Sequence, residues 1–368
     1  MLKGKKKINW ILTQATHYHT DLIDKVHKAG NIELYIVYYS KMLTGYPWKN
    51  ELADFKNQYI VKKSFFNIDF KLLFQWLRKS KNDFFIFAGW AEITSVLFLT
   101  YCAIFKLNYI IQTDTPQINK PQTLFYFLRG KWLNFILSRS VAILVTGEIG
   151  IEEIKKICSA KLRIFNFPFI VNLDAFKFER PVFSSSEIRI FSSGRLVNNH
   201  KGYLVMLNAI ALLRDKMPNL KFKYIIAGEG PDKMIIKNFI RELNLEKYVE
   251  LIGWVEIEEL PGLYNNCDIF LHISYFDPYP NAVLEAMACG RIILASSSAG
   301  SAKDRIVHGQ NGFLTEPGDY LAAADQLCKI IYLDDVCKQD LSQRARLTTE
   351  MWDYKYNLSV LNEVLDIK

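Results

Sequence analysis

The chain has 368 residues, half of them hydrophobic and 23% charged, with a net charge of +8. That length exceeds one ordinary core, so two domains are expected, and the composition excludes a disordered chain. No apolar run reaches the ~20 residues that a membrane-spanning helix needs; the nearest, residues 93–105, leads into the strand-like NYIIQ. In chain order, MLKGKKKINWILTQ opens with basic residues but has no long apolar region and no small-residue cleavage site, so no secretory leader is expected. INWILTQ, IELYIVYYS, DFFIFAGW, NYIIQTD and AILVTG then read as buried strands, with helical stretches such as residues 121–138 between them. Residues 171–187, VNLDAFKFERPVFSSSE, read as a linker. IRIFSSG, KYIIAGEG, VELIGWV, DIFLHIS and RIILASS repeat the strand–helix alternation.

Two such alternations predict an α/β protein of two Rossmann-like, doubly wound parallel-sheet domains, residues 1–170 and 188–345. Residues 346–368 are expected to form a C-terminal helix packing back on the first domain. Ligands of open parallel sheets bind at the carboxyl ends of the strands, so functional residues are sought there.

Cys102, Cys158, Cys267, Cys289, Cys328 and Cys337 have no CxxC spacing, and most lie among apolar residues. They read as reduced thiols of a cytoplasmic protein, and no metal site is expected. Charge divides unevenly: residues 1–170 carry 24 Lys and Arg against 12 Asp and Glu, a net +12, and the remainder carries −4. Without zinc-finger spacing, an RNP-like sequence or an arginine-rich arm, no nucleic-acid partner is expected. An anionic membrane surface or a phosphorylated acceptor fits the basic half. Residues 124–137, LFYFLRGKWLNFIL, with Arg129, Lys131 and the following Arg139, suit a helix lying on such a surface; an ordinary buried helix is the competing reading.

Four stretches carry chemistry. In FSSGRLVNNHKG, a strand ends at Gly194, and Arg195 and Lys201 offer a guanidinium fork and a compact ammonium suited to a diphosphate. A turn with two solvated cations is the alternative. In IIAGEGP, Gly228 lets the backbone approach a ligand, although the third glycine of a dinucleotide fingerprint is missing. In LIGWV, the Trp254 ring and the Val255 backbone are candidates to contact a flat base. In SYFDPYPNAVLEAMACG, Pro278, Tyr279 and Pro280 shape a loop that starts a helix, and the amides of Asn281, Ala282 and Val283 are expected to be unpaired and to receive phosphate. Asp277 lies just outside that helix and Glu285 one turn or so inside, where sugar or ribose hydroxyls would satisfy it; backbone donors would do so equally. His17 and His19 follow the first strand, and His272 reads as a satisfied core residue.

The ordered set GRL with its later lysine, AGEGP, LIGWV, DIFLHIS, PNAVLEAMACG and HGQNGFLTEPGD resembles the retaining glycosyltransferases of family four, over roughly residues 188–320. The resemblance implies the GT-B fold, two domains facing a cleft, and transfer of a sugar from a nucleotide donor, UDP- or GDP-linked, to an acceptor hydroxyl. It implies that Glu285 binds the ribose, that Asp277 contacts the donor sugar where the family has glutamate, and that Arg195 and Lys201 hold the diphosphate without a metal or other cofactor. The first-domain glycine loop of the family is absent, and Asp114 stands where a histidine is usual; Asp114, His17 and His19 are the expected acceptor-side residues. The implied acceptor is a glycan or lipid-linked molecule used in cell-surface polysaccharide or glycolipid assembly, with the protein cytoplasmic or peripheral at the inner membrane face. A nucleotide-sugar epimerase on the same fold and a non-catalytic partner of an active transferase are the alternatives.

Overall fold

In the computed structural model, the nine residues of β1, Lys6–Gln14, have a middle, Ile8 to Leu12, that is buried on both sides and apolar except for Asn9. A strand hidden on both faces belongs in a parallel sheet covered by helices. Residues 6–14, 16–30, 32–40, 58–61, 68–79, 81, 83–114, 124–157, 162–183 and 187–365 are described. Cys158, the three serines of residues 184–186, the first residues of 121–138 and the His17 side chain lie outside them.

The first unit comprises residues 1–169 and 354–368. Its strands are β1, β2 (Ile32–Ser40), β3 (Gln58–Ile60), β4 (Phe84–Ala88), β5 (Tyr109–Thr113), β6 (Ala142–Val145) and β7 (Ile164–Asn166). All pair parallel, in the order β3-β2-β1-β4-β5-β6-β7. The helices are α1 (His17–Lys28), α2 (Phe70–Lys79), α3 (Ile93–Phe105), α4 (Leu124–Leu137) and α5 (Gly147–Ile157). Chain order reverses between β1 and β4, so right-handed crossovers put α1 on one face and α2 to α5 on the other.

The second unit comprises residues 170–353. Its strands β8 (Ile188–Ser193), β9 (Phe222–Ala227), β10 (Val249–Gly253), β11 (Ile269–His272), β12 (Ile292–Ser296) and β13 (Phe313–Thr315) are parallel in the order β10-β9-β8-β11-β12-β13. Between them run α6 (Asn198–Lys201), α7 (Tyr203–Lys216), α8 (Lys233–Glu242), α9 (Leu260–Asn265), α10 (Asn281–Ala288) and α11 (Gly300–Arg305), followed by α12 (Tyr320–Tyr332) and α13 (Asp335–Met351). One core lies under α7, α8 and α12 and another under α9 to α11 and α13.

Two boundaries fall elsewhere than the sequence suggests. Residues 171–183 pack with the second unit, because Phe176 and Phe183 are buried in its two cores. The C-terminal helix is two: α13 stays with the second unit, the chain turns at Trp352, and α14 (Tyr354–Val364) joins the first. Arg305 lies over the Trp352 ring, 3.5 Å from its centroid, at that turn. In the first unit, α14 is fastened by the Asn357 amide donating to the Pro168 carbonyl at 2.9 Å and by Lys25 over the Tyr354 ring.

Candidate functional site

In the second sheet, chain order reverses between β8 and β11, which puts the expected ligand crevice at their carboxyl ends. The glycines after β8 and β9 press together there. Gly194 and Gly228 both have φ +146°, and a Cβ on Gly228 would lie 1.9 Å from the Gly194 carbonyl oxygen. The Gly194 amide donates to Ala227 at 3.0 Å and the Gly228 amide to Gly253 at 2.6 Å, tying three strand ends together. The Asp232 carboxylate accepts the Asn198 amide at 2.7 Å and anchors the start of α6.

Lys201 ends α6, and Gly202 follows at φ +67°, so close to β11 that a Cβ there would lie 2.1 Å from the Ile273 carbonyl oxygen. This approach carries the Lys201 ammonium across the switch point, where it is ion-paired with Asp277 Oδ2. His272, the last residue of β11, lies 3.1 Å from the same oxygen through Nε2. An ionised carboxylate only accepts, so Nε2 carries the proton. Burial alone would raise the Asp277 pKa, but the Lys201 charge and the His272 hydrogen bond overcome it and hold the carboxyl well below the usual range. Burial pushes the His272 pKa down, so the ring is neutral beside an ionised Asp277. The loop bearing Asp277 is pinned by its amide to Ser298 at 3.3 Å and by its carbonyl to the Gly300 amide at 2.9 Å.

Pro280 is the N-cap of α10, at φ −68°, which its ring favours. The Val283 amide, expected to be unpaired, instead donates to the Pro280 carbonyl at 3.2 Å, because the turn closes as a tight one. Asn281 and Ala282 occupy the turn whose amides have no intrahelical acceptor. Tyr279 points inward: it is buried, and its hydroxyl accepts from Arg305 at 2.8 Å. Glu285 is buried too, and its partner is a side chain instead of backbone donors. The Tyr264 hydroxyl of α9 donates to Oε2 at 2.7 Å and pairs with Ser193 Oγ at the end of β8, also at 2.7 Å. Burial pushes the Glu285 pKa up to about 7, with the Tyr264 hydrogen bond opposing.

The structure therefore joins Lys201, Asp277 and the unforeseen His272 in one contact, and Glu285 with Tyr264 and Ser193 in another. Arg195 follows Gly194 and is exposed. Trp254 and Val255 follow β10 and are half-buried, with Val255 packed on the cluster that contains Tyr264. His272 carried one signal, a histidine at a strand's carboxyl end five residues before Asp277; Tyr264 carried none. In the first unit, His17 and His19 begin α1 at the carboxyl end of β1, beside that sheet's switch point. His19 Nδ1 lies 2.9 Å from the Thr16 hydroxyl, and its ring packs against Phe169. Asp114 follows β5, exposed at its own surface, and accepts from the Thr146 hydroxyl at 3.3 Å. Crowding by surrounding protein raises its pKa, and Thr146 opposes the rise. Among the described residues no group of three or more His, Cys, Asp or Glu is placed to hold a metal ion.

Residues 174–348 match the family described as glycosyl transferases group 1. The chain is 27% identical over 145 residues to the 2-deoxystreptamine N-acetyl-D-glucosaminyltransferase of Niallia circulans, covering 39% of this chain and 36% of the relative. It is 32% identical over 170 residues to the amylovoran biosynthesis glycosyltransferase AmsK of Erwinia amylovora, covering 44% and 41%. The matched stretches thus span well under half the length of these curated relatives. Among solved structures, Anabaena Alr3699/HepE in complex with UDP superposes with a TM-score of 0.76 at 16% identity, covering 98% of this chain and 99% of that one. Residues 174–348 thus carry the match to the glycosyl transferases group 1 family, and the two parallel-sheet domains have the GT-B fold.

Proposed function

We propose that the chain transfers a sugar from a nucleotide-sugar donor to an acceptor hydroxyl, with retention at the anomeric carbon. The observation that carries this reading is the Lys201–Asp277 ion pair, which spans the switch point between β8 and β11. An ammonium has three donors, so Lys201 can keep Asp277 and still meet a diphosphate oxygen. Arg195, exposed on the preceding turn, supplies a second cation. Together they stabilise charge on the leaving nucleotide, and no step is assigned to a metal. Asp277, kept ionised and oriented by His272, accepts from a donor-sugar hydroxyl; Glu285, steered by Tyr264, accepts from the ribose. The backbone at Gly194 and Gly228, the Asn281 and Ala282 amides, and the Trp254–Val255 segment complete the donor site.

A uridine base is favoured over guanosine, because the Anabaena protein of the same fold was solved with UDP and with UDP-glucose. The relatives' names also favour transfer over epimerisation, and assembly of a cell-surface polysaccharide fits the amylovoran relative. The acceptor, a glycan or lipid-linked molecule, is assigned to the first unit, with Asp114, His17 and His19 on its side. Free thiols at Cys102, Cys267 and Cys289, all buried, suit a cytoplasmic setting.

Calorimetry with UDP and with UDP-glucose tests the division of roles. Glu285→Gln should weaken both ligands about equally, whereas Asp277→Asn should spare UDP and weaken UDP-glucose. Equal losses for both ligands in both variants, or no UDP binding by the unaltered chain, would overturn the assignment.

A further inference from the structure

The structure assigns the outer face of α2, α3 and α4 as a docking surface for an anionic lipid bilayer. The inference goes beyond the donor-site reading and rests on the first unit alone.

These helices cover one face of the first sheet as neighbours. Trp76 of α2 packs on Phe98 of α3 at 5.1 Å, and Trp132 of α4 donates to the Thr100 hydroxyl of α3 at 2.9 Å. Their inward residues, including Leu72, Leu99 and Ile136, fill the core. Their outward residues are apolar as well, which an outer helix of a soluble domain does not need. On α2, Phe70 and Phe74 stand one turn apart, with Phe74 62% exposed. On α3, Ile93, Leu97 and Ile104 recur on one outward side, and Phe105 is 61% exposed. On α4, Phe127 and Leu128 are exposed, with Phe127 at 59%.

The charges that the three helices themselves carry have one sign; Glu92, half-buried at the N-cap of α3, is the acid beside them. The three helices, of 10, 13 and 14 residues, contain no Asp or Glu. They carry Lys71, Arg78, Lys79, Arg129 and Lys131, and Lys106 and Arg139 follow directly. Asp69, just before α2, is buried and caps that helix through the Leu72 amide. Arg78 lies over Phe74, Lys131 over Phe127 and Arg139 over Phe135, so cations and rings are interleaved. The next helix along this face differs: α5 carries Glu148, Glu152 and Glu153. The run of acid-free, apolar-faced helices thus ends at α5.

Apolar groups ringed by cations fit the headgroup boundary of an anionic leaflet, where rings and aliphatic side chains enter and lysines and arginines meet phosphate. No described helix is long and apolar enough to cross the bilayer, so this surface lies on it. A second copy of the chain is a poorer occupant, because two cationic faces repel.

Co-sedimentation of the full chain with vesicles tests this. Binding to phosphatidylglycerol–phosphatidylethanolamine vesicles at low salt should be clear, should fall at high salt as screening shortens to ~3 Å at 1 M, and should be absent with phosphatidylcholine. The triple variant Lys71→Glu, Arg78→Glu, Lys131→Glu should weaken binding about 100-fold. Phe74→Ser with Phe105→Ser and Leu128→Ser should weaken it at least about tenfold. All six positions are exposed, so thermal unfolding and UDP binding, a property of the second unit, serve as controls and should be unchanged. Absence of binding by the unaltered chain, equal binding of the variants, equal binding to phosphatidylcholine, or self-association in solution that the serine variant abolishes would each overturn the proposal.

Discussion

Glu285→Gln should stabilise the protein at alkaline pH while weakening nucleotide binding. The glutamine keeps an oxygen for the Tyr264 hydroxyl, which now reaches Glu285 at 2.7 Å, and removes only the charge. Burial lifts the folded-state pKa from 4.5 to about 7. Between these values the folded chain holds a proton that the unfolded chain has released, so the wild type loses stability relative to the variant as pH rises through that window. The penalty is small near pH 4.5 and complete above pH 7. Each pKa unit is worth ~1.4 kcal/mol, which gives the variant an advantage of about 3 kcal/mol at pH 8 and about 1 kcal/mol at pH 5. Urea unfolding of both proteins at pH 5, 6, 7 and 8 measures it, since other titrating groups cancel in the difference. Parallel stability profiles would refute the assignment of a buried, destabilised carboxylate at this position.

Removing the exposed Arg195 with Arg195→Ala should change unfolding by no more than about 1 kcal/mol and cost kcat/KM about 2–4 kcal/mol with the active donor. Lys201→Ala should lower both, because it strands the Asp277 charge in a buried site; a broken buried pair costs about 3–5 kcal/mol. His272→Phe should reduce transfer with little change in UDP affinity, read as a fall in kcat at unaltered UDP inhibition, since the ring's hydrogen bond goes to the sugar-side carboxylate and its stacking on Phe270 survives in phenylalanine. Gly228→Ala should destabilise by about 3 kcal/mol or more in thermal unfolding, because its methyl would meet the Gly194 carbonyl oxygen at 1.9 Å. Gly130→Ala, in α4 with open space around it, should instead stabilise by about 1 kcal/mol.

All ten strands read from apolar runs form; nine are interior parallel strands, which are covered on both faces and leave a continuous signature, and the tenth, β10, lies at a sheet edge. The strands missed are β3, β7 and β13, three residues each at sheet edges and too short to show a pattern. The boundary expected near residue 346 falls at Trp352 and Asp353 instead, because α13 and α14 are both helical and only these two residues separate them. In the site, the eight-residue spacing from Asp277 to Glu285 and the GRL segment were legible as local motifs. The contacts that give those residues their chemistry were not. Lys201 meets Asp277 across 76 positions, and Tyr264 meets Glu285 across 21 from another helix. Such pairings follow from strand order, which the local pattern does not encode. The Val283 amide departs from expectation for a related reason: a tight first turn consumes a donor that an ideal helix leaves free.

The central claim is retaining transfer from a nucleotide sugar held at Lys201, Asp277 and Glu285. Its most direct test is to incubate the full chain with UDP-glucose, UDP-galactose and UDP-N-acetylglucosamine in turn, with water as acceptor, and follow the released sugar by proton NMR. The account predicts slow release from at least one donor, with the α-anomer appearing first from the α-linked donor and with no release by Lys201→Ala. First appearance of the β-anomer, or equal release by the variant, would contradict it.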